Sequence, residues 1–233
     1  MKEKRALVFA PHPDDAEMAM GGAMARLLDD GWEVVLADLT NGEPTPAGSV
    51  EKRQAETALA SKALGITERL CLGLPNRYLD SRLEYRTVVA ETIRKYKPRW
   101  LFAPYRPDVH PDHIHASHLV EEARFHAKLT KTDMAHEPHY PEKTIYYYAT
   151  HLNVHPAPSF VVDVTAQWPR KLEAIKAYQS QFWDNQSDPA RRGWIVDHLD
   201  AYCRYFGNRI GVPYGEPFFC HELVGLATLD HLL

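Results

Sequence analysis

Two short clusters of histidine and aspartate are the residues whose types and spacing could do chemistry. The first places His12, Asp14 and Asp15 within four residues, directly after the apolar run at 6–9. The second reads His-Pro-Asp-His at 110–113 and follows another apolar run. Imidazole and carboxylate groups bind transition metals in proteins, and a spare group of either kind can move protons. Together the two clusters indicate metal-assisted hydrolysis.

Three of these side chains form a ligand set typical of a catalytic metal site. Such sites take three protein ligands and leave one position open for water. Zinc suits two imidazoles with one carboxylate, although iron, cobalt or manganese fit the same donors. The sequence therefore predicts a divalent metal, zinc first, held by His12, Asp15 and His113.

The remaining side chains of the clusters can move protons. Consecutive residues cannot easily face one metal together, so Asp14 is free to act as general base on a water molecule. A protonated imidazole at His110 can stabilise an oxyanion or protonate a leaving amine, and Asp112 can orient it. Taken alone, Asp14 or Asp15 could be only a helix cap, but the nearby histidines favour the catalytic interpretation.

Alternating strands and helices must position these clusters. Apolar runs and helix-end signals predict strands at 5–9, 32–39, 70–72 and 99–103, and helices at 13–30, 49–64 and 82–96. Ser49 is the expected N-cap of the second helix and Gly65 its stop, and the apolar stripe of that helix is formed by Ala55, Leu59 and Ala63.

The later part of the chain is less regular. Strands are predicted at 144–150 and 160–164, followed by a helix at 169–182. We expect the apolar stripe of this helix to lie in the core without a chemical role; it consists of Leu172, Ile175, Tyr178 and Phe182.

This alternation is typical of a mostly parallel sheet with helices on both faces, a Rossmann-like α/β fold. We interpret residues 1–233 as a single domain. Ligands of such sheets bind beyond the C-terminal ends of the strands, so His12 and His113 are expected to converge there on one active site. Gly21 and Gly22 are expected to let the first helix pack closely against the sheet.

The composition of the chain limits the kinds of partner that it is expected to bind. With a net charge of −4 and basic residues that are not clustered, the chain is not expected to bind nucleic acid, so small molecules are the expected partners. The three cysteines are far apart and imply neither a disulfide framework nor a cysteine metal site. No apolar stretch is long enough to span a membrane. A cytoplasmic protein is therefore expected.

With these residues in hand, the chain resembles the LmbE-like or PIG-L family of zinc-dependent de-N-acetylases. The first signature of the family is a strand ending in Ala-His-Pro-Asp-Asp and a later glycine pair, matched here by 10–15, with Pro11 inserted, and by Gly21 and Gly22. The second signature, His-Pro-Asp-His, is intact. The resemblance implies zinc ligands at His12, Asp15 and His113, a general base at Asp14, and a catalytic His110 supported by Asp112.

Within the family, the chain looks most like the deacetylases of bacillithiol biosynthesis, which act on N-acetylglucosaminyl-malate. Matching stretches include 39–40, 103–105, 146–148 and 177–182. The resemblance also implies a homo-oligomer, a trimer or hexamer. Other acetylated amino sugars stay open as substrates, namely a chitobiose fragment or a mycothiol-pathway inositol glycoside.

Two residues are expected to bind the substrate. Arg53 matches an arginine that contacts substrate in relatives, and its planar cation suits sugar hydroxyls or a carboxylate. Asn76 stands where many relatives have an aspartate, so hydrogen bonds to a sugar remain available but charge-dependent contacts do not. Tyr78 replaces a glycine and would crowd that position.

Two other classes of protein fit the clusters less well. A metal-binding module without catalysis would not need the spare Asp14 and His110. A metal-dependent phosphoesterase would favour a second metal and more basic phosphate contacts, which the sequence does not display.

Overall fold

The computed structural model describes residues 3–149 and 157–231, in which one sheet is flanked by helices. The strands are β1 (Arg5–Ala10), β2 (Glu33–Asp38), β3 (Glu68–Cys71), β4 (Trp100–Pro104), β5 (Lys143–Tyr147), β6 (Phe160–Asp163) and β7 (Gly215–Phe219). The helices are α1 (Asp15–Asp29), α2 (Val50–Leu64), α3 (Leu83–Tyr96), α4 (Pro111–Ala127), α5 (Trp168–Lys176), α6 (Gln179–Phe182) and α7 (Trp194–Arg209). Two short 3₁₀ helices cover Pro189–Arg191 and Leu229–His231.

The sheet is mostly parallel, as the sequence predicts. Its 7 strands lie in the order β3-β2-β1-β4-β5-β7-β6. Strands β1 to β5 pair with one another in parallel, whereas β7 is antiparallel to both β5 and β6. The Rossmann-like α/β class is confirmed, with an antiparallel edge that no local pattern of the sequence indicates.

Both faces of the sheet are covered by helices. Successive side chains of a strand point to opposite faces. In β1, Val8 therefore packs into a core with residues of α1, α2, α5 and α7, while Leu7 and Phe9 pack into a second core with α3 and α4. Burial on both faces explains why β1 is apolar at every position from Ala6 to Ala10.

The chain order of the strands creates a crevice at the ends of β1 and β4. From β1 the chain crosses through α1 to β2 on one side, while β4 pairs with β1 on the other side. Where two adjacent strands connect to opposite sides of the sheet, a crevice forms at their C-terminal ends, and open α/β sheets bind ligands there. The two His/Asp clusters follow these two strands, and the ring centroids of His12 and His113 lie 5.6 Å apart. Their predicted convergence is confirmed.

Helix α2 has the predicted ends but not the predicted buried face. Ser49 caps it by accepting a hydrogen bond from the Lys52 N–H, and Gly65 ends it in the left-handed conformation. The prediction that Ala55, Leu59 and Ala63 form its buried face is wrong, because Leu59 is 59% exposed and Ala55 is also exposed. The buried residues are instead Arg53, Glu56, Ala60, Ser61 and Leu64, and three of these are polar.

The predicted helix at 169–182 is broken into α5 and α6. The break lets the Ser180 N–H and hydroxyl bond to the Glu56 carboxylate at 2.6 and 2.7 Å. Strand β5 ends at Tyr147, and Thr150, the predicted end of that strand, lies outside the described residues. Helices α4 and α7 and strand β7 were not expected from the sequence. Among the helices of the described ranges, none is long and apolar enough to cross a membrane.

Candidate active site

His12, Asp15 and His113 lie together at the crevice. Asp15 Oδ2 is 3.0 Å from His12 Nδ1, and Asp15 Oδ1 is 3.3 Å from His113 Nε2. One donor atom from each residue falls within 4.8 Å of the others. Asp15 and His113 are buried and His12 is half-buried. The structure therefore brings together the three residues predicted as metal ligands.

Hydrogen bonds to the end of β1 and to the loop after it fix the course of this segment and hence the position of His12. The Tyr147 hydroxyl donates to the Phe9 carbonyl at 2.7 Å, and the Thr40 hydroxyl donates to the Pro11 carbonyl at 2.9 Å. The His12 N–H donates to Asp15 Oδ2 at 3.0 Å, so one carboxylate oxygen contacts both the backbone and the ring of His12. The ring is thus held before any ligand binds.

His113 lies in the first turn of α4. This helix begins with Pro111, whose missing N–H suits a helix start. The N-cap is His110, whose Nδ1 accepts a hydrogen bond from the Asp112 N–H at 3.2 Å. His113 follows one turn later, buried and facing Asp15.

Each histidine of the set has a carboxylate on its other ring nitrogen. Asp108 Oδ2 lies 3.2 Å from His113 Nδ1, and Asp112 Oδ2 lies 3.1 Å from His12 Nε2. Carboxylates placed this way orient metal-binding imidazoles. The interpretation that the Asp112 carboxylate orients His110 is wrong, because Asp112 contacts His110 through its backbone N–H and gives its carboxylate to His12.

These neighbours determine the charge of the two histidines. Burial alone would lower their pKa values, but hydrogen bonds to Asp112 and Asp15 raise the pKa of His12 to about 9. Asp15 and Asp108 likewise outweigh burial and raise the pKa of His113 to about 10. Burial would raise the pKa of Asp15, yet His113 and His12 hold it well below its usual value. The surroundings favour positive charge at this point, which a divalent cation also supplies.

Asp14 faces away from Asp15, as the sequence predicts. Its φ of 113° is rare for a residue with a side chain, and its carboxylate makes no cap hydrogen bond to α1. Asp14 Oδ2 instead accepts a hydrogen bond from Arg53 Nη1 at 2.9 Å. Burial raises the pKa of Asp14 to about 7 against the opposing effect of Arg53. A carboxylate of this pKa is suited to proton transfer near neutral pH.

Arg53 contacts the Asp14 segment. Its Nη1 also donates to the Pro13 carbonyl at 2.6 Å, and its Nε donates to Glu43 Oε1 at 3.3 Å. The side chain is only 4% exposed. The Arg53 guanidinium, which the sequence assigns to substrate binding, therefore forms ion pairs with two carboxylates, those of Asp14 and Glu43. Glu43 was missed, because the sequence places it in a polar loop with no spacing that relates it to Arg53.

His110 lies at the open side of the cluster. Its ring centroid is 4.9 Å from that of His12 and 4.6 Å from that of His113, and the residue is exposed. Burial of part of the ring and the neighbouring His113 lower the pKa of His110. Because Nδ1 accepts the Asp112 N–H, the neutral ring carries its proton on Nε2.

A turn after β3 reaches the same place. The Arg77 and Leu79 N–H groups donate to the two oxygens of Asp112 at 2.7 and 3.3 Å. Asn76 is half-buried and directly precedes this turn, so its segment is brought to the site. Tyr78, in the same turn, is 73% exposed.

A buried polar network supports the first turn of α1. Glu17 is fully buried and accepts hydrogen bonds from Arg69 Nη1 at 2.6 Å and the Tyr178 hydroxyl at 2.5 Å. Arg69 also pairs with Asp38 at 2.7 Å. Tyr178 is buried as predicted, but its hydroxyl has this polar role that the helical spacing does not indicate.

The donor chemistry fits a transition metal. Two imidazoles and one carboxylate converge, and Asp108 and Asp112 hold the rings from outside. A second group, His12, His110 and Asp112, has equally close donor atoms and shares His12 with the first. Asp108 was missed by the sequence analysis, although its place two residues before His110 could have indicated it.

Comparison with known proteins identifies the family. The PIG-L model, described as GlcNAc-PI de-N-acetylase, matches residues 7–124, which include both His/Asp clusters. Diacetylchitobiose deacetylase of Thermococcus kodakarensis is 30% identical over 91% of this chain and 81% of its own length. A probable N-acetyl-alpha-D-glucosaminyl L-malate deacetylase 2 of Bacillus anthracis is 27% identical over 77% of this chain and 82% of its own.

Two solved structures are similar throughout. Conserved protein TT1542 from Thermus thermophilus has a TM-score of 0.88 and 38% identity, covering 96% of this chain and 97% of that one. N,N'-diacetylchitobiose deacetylase from Pyrococcus horikoshii has a TM-score of 0.79 and 29% identity, covering 93% and 83%. The chain therefore belongs to the PIG-L family of de-N-acetylases and is a metal-dependent amidase.

Proposed function

We propose that the chain removes an N-acetyl group from a saccharide containing N-acetylglucosamine, with N,N'-diacetylchitobiose as the favoured substrate. The observation that carries the proposal is a compact set of His and Asp donors beside a separate buried carboxylate, Asp14, in a chain of the PIG-L family. Amide hydrolysis needs both parts, an electrophilic centre and a base.

His12, Asp15 and His113 would hold the metal, and zinc is the proposed ion. Bound there, zinc would polarise the acetyl carbonyl and lower the pKa of a water molecule to roughly 7. Asp108 and Asp112 would keep the two imidazoles oriented.

Asp14 would take the proton of the attacking water. Its carboxylate is separate from the ligand set and is fixed by Arg53. The amide nitrogen must then gain a proton before the C–N bond breaks, and the protonated Asp14 can supply it. Acetate and a free amine are the products.

His110 would stabilise the oxyanion that develops on the acetyl group. Its lowered pKa favours the neutral ring, whose Nε2–H is a hydrogen-bond donor. This revises the protonated imidazole expected from the sequence. A fixed donor at the position of developing negative charge is an effective form of catalysis.

The charges around Arg53 favour a neutral saccharide over the malate glycoside. Malate carries two carboxylates that would need cations free to pair with them. Arg53, the cation assigned to that task from the sequence, is buried and already faces Asp14 and Glu43. Asn76 supplies an amide, which suits sugar hydroxyls. A relative that is 30% identical over 91% of this chain also acts on diacetylchitobiose, by its name.

The proposal is tested by substrate comparison. Purified protein is assayed for acetate release from N,N'-diacetylchitobiose, N-acetylglucosaminyl-malate and the inositol glycoside of N-acetylglucosamine, at equal metal loading. We expect the highest kcat/KM on diacetylchitobiose. A higher kcat/KM on the malate glycoside would overturn the substrate assignment, and absence of acetate from all three would overturn the proposed function. By resemblance we also propose a homo-oligomer, a trimer or hexamer, which light scattering tests.

A further inference from the structure

Helix α1 consists of two differently oriented halves. Met20 has φ −140° and ψ 24°, which are not helical values. The first half contains Asp15 and Glu17, which face the candidate metal site and the buried network. The second half, 21–29, packs among buried core residues. A break at Met20 means that the two halves need not share one axis.

The second half has a helix start of its own. The N–H groups two and three residues beyond an N-cap normally bond to the N-cap side chain. Here Met20 occupies that position and offers no side-chain oxygen. The Gly22 and Ala23 N–H groups donate instead to Glu216 Oε1 and Oε2, at 2.9 and 2.7 Å. Strand β7 thus supplies the cap from a distant part of the chain.

The buried negative charge of Glu216 is compensated by a buried positive charge, that of Lys171. Glu216 is fully buried, and Lys171 Nζ lies 2.6 Å from its Oε1. Lys171 is itself 1% exposed. Burial would lower the pKa of Lys171, but Cys203 and Glu216 raise it and keep the ammonium charged. A carboxylate is also favoured by the dipole at a helix start.

The glycine pair makes room for the arrangement. A Cβ on Gly21 would lie 3.1 Å from Lys171 Cγ, and one on Gly22 would lie 2.6 Å from Val164 Cβ. Side chains at these positions would therefore push the helix away from both Lys171 and Val164. Close packing at the pair is confirmed, although the glycines approach Lys171 of α5 and Val164 after β6 rather than a strand of the sheet. As a consequence, Glu216 can reach the helix backbone.

We propose that Glu216, neutralised by Lys171, is a positioning residue for the metal site. In a continuous helix the Gly22 and Ala23 N–H groups would bond to carbonyls four residues earlier, which lie in the first half. Glu216 takes these two donors and so maintains the break. The first half is then free to turn Asp15 toward His12 and His113. The inference rests on the proposed function, in which Asp15 is a metal ligand.

The test removes both buried charges together. K171M/E216Q keeps similar volumes and leaves no unpaired charge, and D133N, at an exposed residue, is the control. Zinc affinity of the metal-free proteins is measured by calorimetry. We expect at least a tenfold weaker affinity for the double variant and an unchanged affinity for D133N. Equal affinities of wild type and double variant would overturn the inference.

Amide hydrogen exchange gives a second readout that does not depend on a folded variant. In metal-free wild type, the Gly22 and Ala23 amides should be among the slowest to exchange. Exchange as fast as that of exposed amides would contradict the cap, whatever the variants do. If wild-type protein binds no zinc and releases no acetate, the proposed function is overturned. Slow exchange of the Gly22 and Ala23 amides in that case would still show that Glu216 caps the helix.

Discussion

Asp14 and Asp15 are adjacent in sequence, yet their carboxylates meet different partners. Asp15 faces two histidines, whereas Asp14 faces a guanidinium. The positive φ of Asp14 accompanies this divergence at the start of α1. Strain of this kind is found at functional sites because the surrounding structure maintains it. One doublet can therefore supply a ligand and a base.

Replacing Asp14 by asparagine tests its role as a base. Asparagine keeps the size of the side chain but cannot accept a proton. We expect acetate release to fall by about 10²–10⁴-fold. Zinc content, measured by mass spectrometry, should stay unchanged. The exposed Asp133 serves as control in an Asp133→Asn variant. Near-normal turnover by the Asp14 variant with zinc bound would contradict the assignment.

Arg53 can act on the substrate or through Asp14, and kinetics separate the two. In an Arg53→Gln variant the Asp14 carboxylate loses its partner and its fixed position. We expect kcat and kcat/KM to fall together by about 10²-fold, since small misplacements of a catalytic group have such effects. A raised KM with unchanged kcat would show direct substrate binding instead. Lys52→Gln, at an exposed residue of the same helix, is the control.

Asp108 is expected to affect the metal rather than the proton transfer. Its carboxylate is on the far ring nitrogen of His113. Loss of such an outer partner lowers metal affinity by about 10–100-fold. Calorimetry with Asp108→Ala should show this loss, and Asp133→Ala should bind zinc like wild type. An unaltered affinity in the Asp108 variant would mean that His113 needs no such support.

The identity of the site residues could be predicted, but many of their partners could not. His12, Asp15 and His113 are recognisable because each cluster follows a strand end, and strand ends of a parallel sheet meet. Asp112 was assigned to the wrong histidine, since spacing along the chain does not give the direction of a side chain. For the same reason the sequence does not show that Arg53 pairs with Asp14 and Glu43.

At the scale of elements, local patterns predicted a strand near each of β1 to β6 and missed β7, whose antiparallel pairing they do not indicate. Strands β1, β2 and β4 contain apolar runs and are followed by helices, so their pattern identifies them. Strand β7 has only five residues, including Pro217, and lies between β5 and β6 by pairing with distant partners. The break between α5 and α6 also depends on a distant contact, between Ser180 and Glu56.

The close packing of helix α1 at Gly22 can be tested by measuring stability. In Gly22→Ala the new Cβ would lie 2.6 Å from Val164 Cβ. A contact as short as 2.6 Å belongs to the upper part of the cost of overpacking, about 2–3 kcal/mol, against a helix preference for alanine of about 1 kcal/mol. We expect a net loss of about 1–2 kcal/mol in the free energy of unfolding, measured in urea. Gly225→Ala, where no heavy atom lies within 4 Å, should change stability by less than about 0.5 kcal/mol. Equal stabilities of the two variants would contradict the close packing.

At the scale of the whole molecule, the sheet joins residues that are about a hundred positions apart in sequence. His12 follows β1 and His113 follows β4, and the crevice between these strands places them beside each other. Neither cluster holds a complete ligand set alone. Metal binding should therefore depend on the folded domain rather than on either motif.

The most direct test of the account is a zinc titration of the metal-free protein with diacetylchitobiose as substrate. Acetate release and bound zinc are measured in the same samples. We predict that activity rises in proportion to zinc bound and is complete at one ion per chain. Full activity without any divalent metal, or zinc fully bound with no acetate released, would contradict the account.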